Sequence, residues 1–241
     1  MSRGRDARLL ALTWAAGSMD AISYLGLGHV FTAIMTGNTV LLGLALAQGE
    51  VWAVLRSILA LVAFAAGALV GALIVERDGG REEWPAAVTG ALALEGAALL
   101  VFSAVWALAG PARGEGGVRL LIVLSGFAMG LQAAAVRRLG VPGIATTYIT
   151  GTLTSLMVDL VGWLRAGGGE SGGGAAPAVN WERRVGLLAA VFFVYGLGAL
   201  VGAVLHAGAS SLVTPLPLVA VAAVVAHASF RRRRGSSSSS Q

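Results

Sequence analysis

Two short polar motifs interrupt apolar stretches of the chain, at residues 36–39 and 150–152. Glycine loosens a helix, and threonine and asparagine side chains can bond the backbone groups that a loosened helix frees. Inside a membrane, such irregular backbone is tolerated only where protein or water covers it. Two matched interruptions therefore predict a solute site at the membrane midplane. The predicted substrate-binding residues are Thr36, Gly37, Asn38, Thr39, Gln132, Thr150, Gly151 and Thr152.

The same motifs have a second interpretation, in which they only pack helices. Small and hydroxyl residues let membrane helices approach closely and hydrogen-bond across their interface. "GALVGAL" (67–73) and "GALVGAV" (198–204) carry glycines four residues apart, a spacing that favours such packing. Both interpretations of the polar motifs stay open on the sequence.

Four ionisable residues lie within apolar segments: Asp20, Glu95, Asp159 and His227. Each costs roughly 2.5–3.5 kcal/mol at mid-bilayer and so needs a partner or a wet cavity. Asp20 and Glu95 are predicted to bind the coupling proton or cation, although a hydrogen bond between helices would also explain Asp20. Asp159 and His227 lie nearer to segment ends, where interfacial solvation is the commoner explanation.

Two adjacent arginines, Arg137 and Arg138, are predicted at the outer end of the fifth segment. They are expected to form an anion-attracting rim or to pair with Asp20, with solvated anchors as the alternative. His29 is expected to be a loop residue. The dispersed histidines and the absence of cysteine predict no catalytic constellation, no metal site and no cofactor, and hence no enzyme.

The composition predicts an all-α protein with several membrane-spanning segments. Hydrophobic residues make up 56% of the 241 residues and charged residues only 12%, with a mean hydropathy of +0.80. All seventeen basic residues are arginines. They flank apolar segments, which predicts contact with the lipid bilayer rather than with nucleic acid.

Eight apolar segments can be marked, and arginine placement orients them. With both termini in the bacterial cytoplasm, thirteen arginines fall inside and four outside, as the positive-inside rule favours. The less favoured alternative has six crossings, with 9–48 and 118–164 each one broken span, and puts Arg56, Arg113 and Arg119 outside. The segments are predicted at 9–27, 30–48, 52–75, 85–109, 118–136, 143–164, 183–206 and 209–229.

The two halves of the chain are predicted to be repeats. "LGLGHVFTAIMTG" (25–37) matches "LGVPGIATTYITG" (139–151) at an offset of 114, and "GALVGAL" matches "GALVGAV" at an offset of 131. Eight crossings would make the repeats parallel, whereas six would make them inverted. The predicted units are 1–110 and 111–229, with a flexible cytoplasmic linker at 165–181 and a disordered basic tail at 230–241.

Two stretches carry a resemblance to a known family. "GSMDAISYLGLGHVFTAIMTGNTVLLGLAL" and "GLQAAAVRRLGVPGIATTYITGTLTSLMVDL" resemble the YoaK-like (DUF1275) family of bacterial multi-pass inner-membrane proteins, which has no assigned activity. The family pattern often has Asn where Ile34 and Ala133 stand, and Asp where Gly143 stands. The residues that fit the pattern are Asp20, Thr36, Gly37, Asn38, Gln132, Arg137, Arg138 and Thr150.

Two functions are compatible with these observations. The first is a small-solute secondary transporter or permease, with its site between the repeats and a carboxyl as the coupling group. The second is a non-transporting membrane scaffold or accessory subunit, whose polar residues only pack helices. Neither the solute nor the oligomeric state follows from the sequence.

Overall fold

The structure is a computed structural model that describes residues 3–77, 83–110, 114–141, 149–165, 181–208 and 212–238. Within these ranges the fold is all-α. The predicted linker, apart from Arg165 and Trp181, lies outside the described residues. The eight helices are α1 (Arg3–Gly26), α2 (Met35–Gln48), α3 (Val51–Val75), α4 (Ala86–Ala109), α5 (Glu115–Arg138), α6 (Ile149–Arg165), α7 (Trp181–Gly208) and α8 (Pro215–Ser238).

The helices begin and end where glycine and proline interrupt the apolar runs. Gly49, at φ 72°, closes α2 in the left-handed conformation, and Gly110, at φ 62°, closes α4. Pro85 precedes α4 in an extended conformation. The predicted tail differs, because α8 continues to Ser238 and includes residues that were expected to be disordered.

α1 and α7 run parallel and cross at very short range. Gly17 lies against the carbonyl oxygen of Tyr195, and Gly198 lies against that of Trp14. A Cβ at Gly17 would overlap the backbone of the other helix, and one at Gly198 would lie 2.6 Å from the Trp14 oxygen. The glycines are therefore what allows the two helices to approach so closely.

α3 and α5 form a second parallel pair with the same kind of contact. Gly130 lies against the carbonyl oxygen of Phe64, and Gly67 lies against that of Phe127. "GALVGAL" and "GALVGAV" are thus packing motifs, as their spacing predicts.

The remaining contacts place α1, α4, α5 and α8 at the centre. α5 packs between α3 and α4, α1 packs between α7 and α8, and α4 touches α8. α2 packs on α3, and α6 packs on α7. The core between them is apolar and includes the fully buried side chains of Leu12, Met19, Leu92, Leu99, Met129 and Val221.

One end of the bundle, the amino-terminal face, contains the start of α1. Arg5 pairs with Glu83 at 3.6 Å, and the Arg8 guanidinium lies 4.2 Å from the centre of the Trp84 ring. Asp6 pairs with Arg183 at 2.6 Å. The end of α3, the start of α4 and the start of α7 therefore lie at this face.

The other end, the opposite face, contains the end of α1. Gly26 lies against Trp106 of α4 and His206 of α7. Arg56 and Glu115 form an ion pair of 2.5 Å, which places the starts of α3 and α5 at this same face, since the Arg56 guanidinium also lies against Gly28.

The contacts at the two faces are inconsistent with eight consecutive crossings. That prediction puts residues 76–84 on the side of the membrane away from the N-terminus, but Glu83 pairs with Arg5. It also separates the ends of α1 and α4, which meet at Gly26 and Trp106. The starts of α1 and α4 lie at the amino-terminal face, and the starts of α3 and α5 lie at the opposite face. Between a start at one face and a start at the other, the chain must therefore cross the bundle an odd number of times.

The outer surface is apolar, as a lipid-facing surface must be. Val62, Leu69, Phe193 and Leu200 are each at least 59% exposed. Among the described helices, α3, α4, α5 and α7 (Glu182–Gly208) are long and apolar enough to cross a membrane by length and composition.

Candidate functional site

The two polar motifs lie at helix starts, not in the middle of helices as predicted. α2 begins at Met35, so Thr36 and Gly37 occupy its first turn. α6 begins at Ile149, so Thr150 and Gly151 occupy the first turn of that helix. The chain before α2 is non-helical from Leu27 to Ile34. The equivalent segment before α6, residues 142–148, lies outside the described residues.

The carboxylate of Asp20 holds the segment before α2 inside the bundle. Its Oδ1 accepts the backbone N–H groups of Thr32, at 2.8 Å, and of Ala33, at 2.7 Å. Its Oδ2 accepts the hydroxyl of Tyr195 on α7. Asp20 is only 3% exposed, so these donors replace the water that a buried carboxylate loses.

Asn38 closes the same segment onto α2. Its Oδ1 accepts the backbone N–H of Phe31 at 2.9 Å, and its Nδ2 donates to the Phe31 carbonyl oxygen at 2.5 Å. This fully buried amide therefore satisfies both backbone groups of a residue that no helix pairs. Asn38 has a structural partner on each side of its amide group.

The other predicted substrate-binding residues divide into buried and exposed sets. Gln132 is fully buried, and its Nε2 donates to the carbonyl oxygen of Leu12, which joins α5 to α1. Thr152 is buried too. Thr36, Thr39 and Thr150 are exposed, and the Thr39 hydroxyl donates to the Met35 carbonyl oxygen within α2. Gly37 and Gly151 are half-buried.

Glu95 has the opposite environment to Asp20. It lies on the buried face of α4 between Leu92 and Leu99, and it is 0% exposed. Neither carboxyl oxygen has a hydrogen-bond partner in the described part of the chain. The two predicted coupling acids thus differ sharply: Asp20 accepts three hydrogen bonds, and Glu95 accepts none from the described residues.

The predicted pairing of the two arginines with Asp20 and the predicted solvation of Asp159 are wrong. Arg137 and Arg138 end α5, which runs parallel to α3 toward the amino-terminal face, so they are far from Asp20 near the opposite face. Asp159 is 3% exposed and pairs with Arg184 at 2.6 Å, rather than being solvated. His227 is exposed, and His29 lies in the turn after α1 at φ 62°.

Tyr195 is a site residue that the sequence analysis missed. It is a polar-tipped aromatic in an apolar helix, within "FFVYGLG" (192–198), and only 9% of it is exposed. A buried tyrosine hydroxyl usually has a hydrogen-bond partner, and that rule was the available signal. Among the described residues, no group of three or more histidines and carboxylates is placed to hold a metal.

Comparison with known proteins identifies the family. Residues 8–227 match the family model described as "Protein of unknown function (DUF1275)". The chain is 44% identical over 163 residues to the UPF0700 transmembrane protein YoaK of Bacillus subtilis (strain 168), an alignment that covers 66% of this chain and 69% of that protein. No solved structure matches the chain. The chain is therefore a multi-pass transmembrane protein that belongs to the DUF1275 family.

Proposed function

We propose that the protein is a small-solute secondary transporter or permease of the bacterial cytoplasmic membrane. The observation that carries the proposal is the position of the α2 start. The chain leaves α1 at the opposite face and turns back to the level of Asp20, six residues before the α1 end, where α2 begins. Discontinuous helices that begin at depth build the central sites of transporters.

The lengths of α2 and α6 support this interpretation. α2 has 14 residues and α6 has 17. At a rise of about 1.5 Å per residue they are roughly 21 and 25 Å long, less than the hydrocarbon thickness of about 30 Å. Ile149, at the start of α6, lines the same surface groove as Tyr195 and Gly196, near the middle of α7. Asp159, further along α6, pairs with Arg184 at the amino-terminal face. Both helices are thus interpreted as re-entrant half-helices that enter from opposite faces.

Six crossings follow from this interpretation: α1, α3, α4, α5, α7 and α8. With the N-terminus in the cytoplasm, only Arg56, Arg113 and Arg119 fall outside, and the other fourteen arginines fall inside. This asymmetry exceeds the thirteen against four of the eight-crossing topology. It supports cytoplasmic termini.

The contacts between helices also support an inverted repeat. Gly17 contacts Tyr195 as Gly130 contacts Phe64. The two glycines are 113 residues apart, one fewer than the offset of 114 between "LGLGHVFTAIMTG" and "LGVPGIATTYITG". Their partners are 131 residues apart, which is the offset between "GALVGAL" and "GALVGAV". The contact between α1 and α7 in the fold therefore corresponds to the contact between α5 and α3. Three crossings in each repeat give the halves opposite orientations.

The solute site is assigned to the first turns of the half-helices. Thr36 and Thr150 are exposed there, 114 residues apart, at positions that correspond in the two repeats. The first N–H groups of a helix have no partner within it, and the N-cap residue of α2, Ile34, makes no side-chain cap. Hydroxyls and free N–H groups favour a polar or anionic solute.

Thermal unfolding of the purified protein in detergent, against a solute library at two pH values, tests the proposal. Thr36→Val and Thr150→Val remove the exposed hydroxyls at nearly constant volume. Thr154→Val is the matched control, because the Thr154 hydroxyl is exposed on the same helix and donates to the Thr150 carbonyl oxygen. A solute should stabilise the wild type and the control but neither site variant, and it should then exchange across proteoliposomes.

The scaffold function takes precedence if no solute stabilises the wild type. One observation favours it: Asp20, Asn38 and Gln132 all use polar groups to bond other parts of the chain. In that outcome the half-helices would be a packing arrangement without a ligand.

A further inference from the structure

We propose that Glu95 is a proton-binding site within the membrane, and that the proton is the coupling ion of the transport proposed above. The coupling half of this inference rests on the proposed function. The proton-binding half stands on the surroundings of Glu95 alone.

The first step concerns the charge that Glu95 can carry. An ionised carboxylate in an apolar, water-free site costs far more than a neutral acid unless a cation or several donors compensate it. Glu95 has no hydrogen-bond or ion-pair partner among the described residues, and none of its surface is exposed. A carboxyl in this position is neutral, and therefore protonated, in the packed state.

No charged group on the neighbouring helices is placed to compensate Glu95. α4 packs against α5, α8 and α3. The charged residues of α5 stand in its first five and last two positions, and α3 carries only Arg56, near its start. On α8, His227 is exposed and the arginines begin at Arg231. Glu95 is also the only charged residue of α4, nine positions from the start of that helix.

Asp20 provides the internal contrast. It accepts two backbone N–H groups and one hydroxyl, which stabilise its charged form. Both carboxyls are buried, but Asp20 has three donors and Glu95 has no hydrogen-bond partner among the described residues. Different surroundings let one acid of a pair act as a fixed anchor and the other as a proton carrier. The structure thus separates the two predicted coupling acids: Asp20 is an anchor, and Glu95 is the proton site.

The second step links the proton to a movement. Glu95 lies on the face of α4 that packs into the bundle, and its neighbour Gly96 faces Val221 of α8. Ionising Glu95 in this arrangement would leave a fully buried carboxylate without a partner among the described residues, unless water or a cation entered between the helices. The packed state therefore binds the proton more tightly than any state in which α4 separates from its neighbours. A difference in affinity between two states is what couples a ligand to a conformational change.

Infrared spectroscopy of the protein in a detergent without ester or carboxyl groups tests the proton site without any transport assay. A protonated carboxyl has a C=O stretch that a carboxylate and an amide lack. The wild type should show this band at neutral pH, Glu95→Gln should lose it, and Asp20→Asn should keep it. Absence of the band in the wild type would overturn the proposal, as would its loss in Asp20→Asn with retention in Glu95→Gln.

The coupling half is tested with a solute found by the stability screen. In proteoliposomes, a gradient of one pH unit should drive up to about tenfold accumulation for one proton per solute. The Glu95→Gln protein should still exchange the solute but only equilibrate it. Equal responses of the wild type and Glu95→Gln would overturn proton coupling at Glu95 and leave the transporter standing. A screen without any solute would overturn the transporter and its coupling, while the infrared band still decides the proton site.

Discussion

The Tyr195 hydroxyl on α7 donates to the Asp20 carboxylate on α1, near the point where Gly17 lies against the Tyr195 carbonyl oxygen. One residue of α7 therefore contacts α1 through both its backbone and its side chain. Through Asp20 it also reaches Thr32 and Ala33 of the segment before α2. This connection joins the two halves of the chain at the depth where α2 begins.

Removing the hydroxyl should weaken this connection without changing the packing of the ring. We expect Tyr195→Phe to lower the free energy of unfolding by about 1–2 kcal/mol, the range between a typical hydrogen bond in a membrane and one to a carboxylate. Unfolding in mixed detergent micelles measures it. Tyr24→Phe is the matched control, since the Tyr24 ring stacks on Phe31 and would keep that contact. Equal effects of the two variants would contradict the assigned bond.

Substitution of Asp20 separates hydrogen bonding from charge. In Asp20→Asn the remaining oxygen can still accept from Thr32 and Ala33, and the amide can donate to the Tyr195 oxygen. We expect this variant to be only mildly destabilised, and Asp20→Leu, which leaves buried N–H groups unpaired, to lose several kcal/mol. Thermal unfolding compares them. An Asn variant as unstable as the Leu variant would mean that the negative charge itself is required.

Asn38 should be sensitive to both ends of its amide. Asn38→Asp keeps the acceptor for the Phe31 N–H but places a charged oxygen against the Phe31 carbonyl, and Asn38→Leu loses both bonds. We expect each to cost about 2–4 kcal/mol, because buried backbone groups lose their partners. The control Thr39→Val removes an exposed hydroxyl that bonds within α2, and it should change stability by less than about 1 kcal/mol. Similar unfolding temperatures for all three would show that the segment does not depend on Asn38.

Substitutions of the glycines at the α1–α7 and α3–α5 contacts should lower the free energy of unfolding by similar amounts. Gly17→Ala and Gly130→Ala each place a methyl group against a carbonyl oxygen of the partner helix, and we expect each to cost roughly 1–3 kcal/mol through overpacking. Gly43→Ala on α2 meets nothing within 4 Å and should be neutral or stabilising. Unfolding measurements on the three variants check this. A large loss of stability in only one of Gly17→Ala and Gly130→Ala would argue against equivalent helix contacts in the two halves.

The sequence was informative wherever local composition determines the outcome. Apolar runs bounded by glycine and proline predicted most helix ends to within a few residues, as at Val75 and Ala109. The two polar motifs, at 36–39 and 150–152, were correctly interpreted as breaks in helical structure. Their positions were misjudged, because Asp20 binds residues 12 and 13 positions further along the chain and so determines where α2 begins. No local sequence pattern indicates a hydrogen bond between residues so far apart in the chain.

Under the six-crossing proposal, the sequence-based ranking of the two topologies was incomplete. Moving from eight to six crossings changes the side of Arg77, Arg81, Arg137 and Arg138 as well as of Arg56, Arg113 and Arg119. The predicted ranking of the two topologies considered only the second set. Tyr195 was missed because its partner lies 175 residues away. The contrast between Asp20 and Glu95 likewise depends on which side chains face each carboxyl, a property of packing rather than of spacing.

The six-crossing topology can be tested directly because the natural chain has no cysteine. A single cysteine at Glu76 or at Gly114, both exposed, adds one thiol at either end of the bundle. With the N-terminus in the cytoplasm, six crossings put Glu76 inside and Gly114 outside, whereas eight crossings put them the other way round. A membrane-impermeant maleimide applied to intact cells should therefore label Gly114→Cys at once and Glu76→Cys only after lysis. The reverse pattern would restore eight crossings and, with them, the prediction that the halves are parallel.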